Sequence, residues 1–148
     1  GVELWDSLYE ICRKTDLIYY DIKLLDSELH RKFTGMSNDV ILRNLRRLSE
    51  NREAVGEIVV RIPCIPGIND HKEQIEQTAR FVSELKLSFL ELLPYNEAAG
   101  AKYMWLFQDY SLQKLHTRKK EYYEELQKYV SQFGLLPYGL GHGRRKEK

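Results

Sequence analysis

The sequence lacks most of the features that would assign it to a specialised class. Its two cysteines, Cys12 and Cys64, stand far apart among 148 residues. They supply neither a disulfide framework nor zinc-ligand spacing, so a reducing, cytoplasmic setting is the expectation. Charge of one sign is not in excess, because 23 Lys and Arg face 22 Asp and Glu for a net +1. A nucleic-acid module would show a basic surplus, so no nucleic-acid partner is expected. No apolar run approaches the roughly 20 residues of a membrane span. The opening stretch GVELWDSLYEICRK is amphipathic and mixed in charge, unlike a signal peptide. There is no GxGxxG, no Walker loop, no GxSxG, no internal repeat and no low-complexity segment. Nor is there an initiator methionine: Gly1 leads straight into helix-like sequence, which reads as a chain cut from something longer, or processed.

What is present is a globular composition, 43% hydrophobic and 30% charged, with a regular alternation of patterns. Residues 2–14 place Leu4, Leu8, Ile11 and Cys12 at helical spacing. The run LIYYDI at 17–22 reads as a strand buried on both faces. Ser37 or Asn38 can cap a helix over 39–50, striped by Ile41, Leu45 and Leu48. EIVVRI at 57–62 reads as a second buried strand, stopped by Pro63 and the Pro66-Gly67 turn. Asp70, with Glu73 three residues on, has capping-box register for a helix striped by Ile75, Ala79, Val82 and Leu85. SFLELL at 88–93 is a third strand, ended by Pro94. A loop over 95–108 carries Tyr103, Trp105 and Phe107, and a long helix over 110–133 stops at Gly134. Residues 135–139 can add a short last strand, and 141–148 read as a mobile charged tail. Strands separated by helices demand parallel crossovers, so the expectation is an α/β chain with three or four parallel strands, open or part of a barrel.

In such sheets ligands sit at the carboxyl ends of the strands. Period-two alternation puts Tyr19, Asp21 and Lys23 on one face at the end of the first strand. An acid and a base there can hold a zwitterion or a cation, or can close the sheet as an internal ion pair. Arg61 on the second strand needs a partner, which Asp21, Glu91 or a bound carboxylate can supply. Tyr95, past the third strand, can stack on a flat ligand or cover the sheet end. His30, His71, His116 and His142 are scattered without metal-ligand spacing and read as surface or capping residues. Thr34-Gly35 and Pro66-Gly67-Ile68-Asn69-Asp70 read as turn chemistry.

Three of these segments carry a family resemblance. DLIYYDIKLLDSELHRKFTGMSNDVILRNLRRL (16–48), VVRIPCIPGIND (59–70) and ELLPYNEAAGAKY (91–103) resemble, in order, the later part of glycyl-radical-enzyme activating enzymes. The closing helix that ends at Gly134 fits the same pattern. The family comprises radical S-adenosylmethionine enzymes, of which pyruvate formate-lyase activating enzyme is the best-known kind. The resemblance implies a partial (β/α) barrel, a [4Fe–4S] cluster that cleaves S-adenosylmethionine, and a glycyl radical enzyme whose glycine loop is the partner. It also implies an electron donor such as flavodoxin or ferredoxin. The family's CxxxCxxC motif is absent from this sequence. Residues 1–148 are therefore expected to be the carboxyl-terminal half of such an activase, holding no cluster and no catalytic residue of its own.

Residue by residue, Lys23 resembles the lysine that contacts the methionine carboxylate of S-adenosylmethionine. Asp21 resembles the aspartate of the adjacent monovalent-cation site, with the Tyr19 backbone nearby. Arg61 resembles a strand arginine that faces the active site. Leu93, Tyr95 and Asn96 resemble the wall at the adenosine end, although Asn96 stands where the better-known enzyme has histidine. In an incomplete barrel the strand at 17–22 is expected to present an unpaired edge, and self-association through that edge and the open face is expected at high concentration. The alternatives are a stand-alone α/β ligand-binding or scaffold domain without redox chemistry, and a different α/β enzyme using Asp21, Lys23 and Arg61 on an acidic metabolite. A reading frame containing CxxxCxxC upstream of Gly1 would eliminate the scaffold alternative. Turnover by this chain without iron would mark the other enzyme.

Overall fold

The computed structural model describes residues 3–95 and 118–138. The order is α1 (Glu3–Arg13), β1 (Leu17–Asp21), α2 (Ser27–Thr34), α3 (Asp39–Glu50), β2 (Glu57–Pro63), α4 (Lys72–Glu84), β3 (Phe89–Leu93) and α5 (Lys120–Ser131). The three strands form one open parallel sheet in the order β1-β2-β3. The α/β reading and the parallel strands follow from the sequence as expected. Residue 136 adds a single parallel bridge to Phe89, which is the remnant of the short last strand.

Alternation sorts the strand residues. Ile22, Ile58, Val60, Ile62, Leu90 and Leu92 join the main core with Leu45 and Leu48 of α3, Ile75, Ala79 and Val82 of α4, and Leu126 and Val130 of α5. The helices therefore cover one face of the sheet. Tyr19, Asp21, Val59, Arg61, Phe89 and Glu91 alternate with those core residues and share the other face. Tyr138 lies over part of that face, edge-on to Phe89 at 5.2 Å and to Tyr19 at 6.4 Å between ring centroids.

Several details correct the expectations. β1 is not buried on both faces: all five of its residues are half-buried or exposed, and Tyr19 is 48% exposed, whereas its place at the open edge of the sheet is as expected. Ile11 points outward at 64% exposure, and Trp5 takes the place given to it in the α1 stripe. The Leu4 side chain lies outside the described residues. An additional helix, α2, follows β1. Its signals were present: Asp26 caps it by accepting the Leu29 N–H at 2.7 Å, and Gly35 ends it at φ 76°, donating to Arg31 O. Asn38 precedes α3 but makes no side-chain cap. Nor does Asp70 cap α4, whose N-cap residue is His71. Asp70 is instead fully buried, accepting from Gly67 N–H at 2.8 Å and pairing with Arg118 at 2.7 Å. Gly134 ends the α5 region at φ 77°, as a helix stop requires. The helix read over 110–133 is not continuous: Arg118 and Lys119 are non-helical and α5 begins at Lys120. Tyr103, Trp105 and Phe107, residues 110–117 and the tail at 141–148 lie outside the described residues.

Among the described residues no helix is long and apolar enough to cross a membrane.

Candidate functional site

Parallel register aligns the charged residues at the carboxyl edge. Asp21 pairs with Arg61, and Arg61 pairs with Glu91, so one acid, one base and one acid form a row across all three strands. Arg61 donates from Nε to Asp21 Oδ1 at 2.8 Å, and its Nη2 lies 2.8 Å from the same oxygen. Asp21 Oδ2 takes no hydrogen bond among the described residues. The Arg61 guanidinium also lies 4.6 Å from the Tyr19 ring centroid, a cation–π contact that fixes its plane. Both members of the pair keep access to water, with side-chain exposures of 29% and 43%.

Lys23 follows two residues after the strand. It is half-buried and makes no ion pair with the Asp21–Arg61 couple or with any other described residue. Its carbonyl accepts from Asn69 Nδ2 at 2.8 Å. It lines a 200 Å3 pocket with Leu25, Asp26, Asn69, Glu73 and Gln74. The structure thus brings Asp21 and Arg61 into contact and sets Lys23 apart from them.

Leu93 ends β3 half-buried, and its carbonyl accepts the Cys64 N–H at 2.8 Å. Tyr95 is buried, at 7% exposure. Asn96 lies outside the described residues, as do His116 and His142. His30 is buried rather than at the surface, with Nδ1 2.8 Å from Met36 O and 3.0 Å from Thr34 Oγ1. These contacts tie it into the α2–α3 turn.

Both cysteines are free and buried. Burial, and next the Asp70 carboxylate, pushes the Cys64 thiol up to about 12. Burial likewise raises Cys12. No three His, Cys, Asp or Glu side chains among the described residues converge as a metal-ligand set.

Asn38 and Asn69, read from sequence as a cap candidate and a turn residue, are buried and hold the loop after β1, a role that sequence reasoning missed. Asn38 Nδ2 donates to Leu24 O at 2.9 Å and Leu25 O at 2.8 Å. Asn69 sits inside a stretch that reads as turn chemistry. Its only further signal is a carboxamide beside Asp in a segment that the topology folds back under β1.

No protein-family model matches the chain. Curated relatives do. The (2S)-3-sulfopropanediol dehydratase activating enzyme of Klebsiella oxytoca is 35% identical over 137 residues, covering 88% of this chain and 42% of that protein. The isethionate sulfite-lyase activating enzyme of Oleidesulfovibrio alaskensis is 40% identical over 106 residues, covering 72% of this chain and 34% of that protein. The pyruvate formate-lyase-activating enzyme of Staphylococcus epidermidis is 33% identical over 132 residues, covering 88% and 51%. The chain therefore spans about a third to a half of the length of these relatives. Among solved structures, a domain of pyruvate-formate lyase-activating enzyme from Bacteroides vulgatus superposes with a TM-score of 0.69 at 25% identity, covering 89% of this chain and 71% of that one. Streptococcus suis SuiB, solved with its precursor peptide SuiA, shares the fold at a TM-score of 0.58 and 21% identity.

Proposed function

The homologues of this chain are glycyl-radical-enzyme activating enzymes of the radical S-adenosylmethionine family, and we propose that it is the carboxyl-terminal half of one. One observation carries the reading: the 35% identity that extends over 88% of the chain to an activating enzyme more than twice its length. On this reading the complete protein is a cytoplasmic oxidoreductase that generates a glycyl radical on a partner enzyme. The glycine loop of that partner and a flavodoxin or ferredoxin electron donor would be its macromolecular partners.

The residues present do not fit a [4Fe–4S] cluster. Such a cluster takes several convergent thiolates. This chain offers two protonated thiols, one in α1 and one after β2, both inside the core. No step is therefore assigned to a cluster here.

The donor set does fit the amino-acid end of S-adenosylmethionine. When bound, that cofactor supplies the group that is cleaved to abstract hydrogen. The chain's own residues would bind and orient it. Lys23, with no carboxylate of its own among the described residues, would hold the methionine carboxylate. Asp21 Oδ2 would face the ammonium or a monovalent cation. Arg61 would hold Asp21 in place and lend positive charge to the row. Leu93, Tyr95 and Asn96 would wall the adenosine end.

The test is equilibrium binding of S-adenosylmethionine to the chain and to its Lys23→Ala variant. Binding that weakens in the variant, with an unchanged thermal midpoint, is the expected result. Equal affinity in both would return Lys23 to a purely structural role. Reconstitution with iron and sulfide gives an independent check: a stoichiometric cluster that survives desalting would overturn the half-activase reading.

A further inference from the structure

The β1–β2 ladder closes with the Ile22 N–H donating to Arg61 O at 2.9 Å. Beyond it, the carbonyls of Lys23, Leu24 and Leu25 have left the sheet and need other donors. Two buried carboxamides supply them. Asn69, 2% exposed, donates from Nδ2 to Lys23 O at 2.8 Å and to Pro63 O at 2.9 Å. Its Oδ1 accepts the Ile65 N–H at 2.6 Å. Asn38, 1% exposed, donates to the next two carbonyls, Leu24 O and Leu25 O.

Asn69 therefore joins the first residue after Ile22 to the last residue of β2 through one nitrogen. A bound water could satisfy the same carbonyls, but it would not tie them to the chain. A short side chain fixed at three points does. Leu24 forms a separate small core with Ile65, Ile68, Leu29 and Phe33, so the residue after Lys23 is anchored by packing as well. The Lys23 ammonium has no ion pair among the described residues to direct it. Its reach is set by where its backbone is anchored.

We propose that Asn69 is a positioning residue for Lys23, holding its backbone so that the ammonium meets the anionic end of the bound cofactor. This rests on the cofactor-binding role proposed above for Lys23. Asn69 need not touch the cofactor. It acts by removing the freedom of the Lys23 backbone before binding, so that the ordering is not charged against affinity.

The experiment is a two-dimensional NMR titration of the 15N-labelled 148-residue chain with S-adenosylmethionine, repeated for Lys23→Ala, Asn69→Ala, Asn69→Asp and the Lys23→Ala/Asn69→Ala double variant. Asn69→Asp keeps an acceptor for the Ile65 N–H and gives up both donors, so it cuts the link to Lys23 while leaving the β2–α4 turn its bond. The expected result is an affinity about tenfold weaker in either Asn69 variant, roughly the loss of one well-made hydrogen bond. Amide relaxation at residues 23–25 should show increased motion in both. In the Lys23→Ala background, Asn69→Ala should weaken binding no further, because its effect passes through Lys23. Additive losses would overturn the proposal, and so would unchanged affinity in the Asn69 variants. Loss of the fold in both variants would assign Asn69 to global stability and overturn it too. Absence of cofactor-induced shifts in the unaltered chain, or an affinity unchanged in Lys23→Ala, would instead sink the underlying cofactor reading.

Discussion

Arg61 and Asp21 are register partners on neighbouring parallel strands, and both Nε and Nη2 of the arginine lie 2.8 Å from one oxygen, Asp21 Oδ1. Asp21 Oδ2 takes no hydrogen bond among the described residues. With 29% and 43% of the side chains exposed, the pair sits in a high-dielectric setting at the sheet's rim. It neutralises Arg61 inexpensively and still offers a carboxylate oxygen to a ligand.

That geometry predicts a division between stability and binding. Asp21→Ala should change the unfolding free energy by less than about 1 kcal/mol, because half-exposed pairs contribute little. Urea unfolding measures this directly. Binding of S-adenosylmethionine should fall by a larger factor. A stability loss of about 3 kcal/mol or more would show that the pair behaves as a buried structural bridge.

Two glycines predict unequal losses for the same substitution. A Cβ on Gly56 would lie 2.0 Å from Thr15 O and 2.7 Å from Asp16 C, both backbone atoms at the entry to β1. Gly56 also donates to Cys12 O, so the α1–β1 connection cannot step aside without losing that bond. Gly56→Ala should destabilise severely, by about 3 kcal/mol or more. Gly35 has open space around it but sits at φ 76°. Gly35→Ala should lose only about 1 kcal/mol, the strain of a left-handed alanine. Thermal melts of the two variants compare them; equal losses would refute the close-approach argument.

The strands were legible because four- to six-residue apolar runs ended at Pro63, Pro94 or a charged residue leave few other structures. Their parallel order followed from the helices between them. The open edge of β1 followed from the half-barrel reading, which leaves the 17–22 strand without its far neighbour. Its partial exposure was not legible, because LIYYDI has the same composition whether one face or both are covered. Asp70 misled for a related reason. Asp-x-x-Glu marks a helix start, yet here the carboxylate is drawn into the core by Arg118, which lies 48 residues on. At the site, alternation correctly placed Asp21 and Arg61 on one face. The separation of Lys23 depends on where the chain turns after Ile22, and long-range carboxamide bonds set that turn.

Burial of Cys64, Tyr20 and Tyr123 predicts alkaline sensitivity. Burial raises Cys64 from an ordinary 9.0, and Tyr20 and Tyr123 from 10.0, each to about 12. The folded state thus keeps protons that the unfolded chain releases. The stabilising contribution is complete below the ordinary values and is lost as pH rises through about 12. Urea midpoints should be flat at neutral pH and fall steadily once the ordinary thiol and phenol values are passed. In the same folded chain, neither Cys12 nor Cys64 should react with a thiol reagent at neutral pH until urea unfolds it. Rapid labelling of the native chain would contradict the burial.

The last prediction concerns the edge. Among the described residues β1 pairs only with β2, so its other side presents strand N–H and C=O groups to solvent. Its five residues, LIYYD, contain neither lysine nor proline, the usual guards of an exposed edge, and its one charge is engaged by Arg61. Tyr19 adds a half-exposed aromatic ring to the same border. Chains should therefore associate through β1 as concentration rises, adding strand to strand. Sedimentation velocity across a concentration series should show the coefficient increasing. Leu17→Lys places a charge on the edge at a half-exposed position outside the main core, so it should return the chain to a constant monomer value with little change in stability. A strictly monomeric unaltered chain at the highest concentration, or association undiminished in Leu17→Lys, would show that the β1 edge is not what brings chains together.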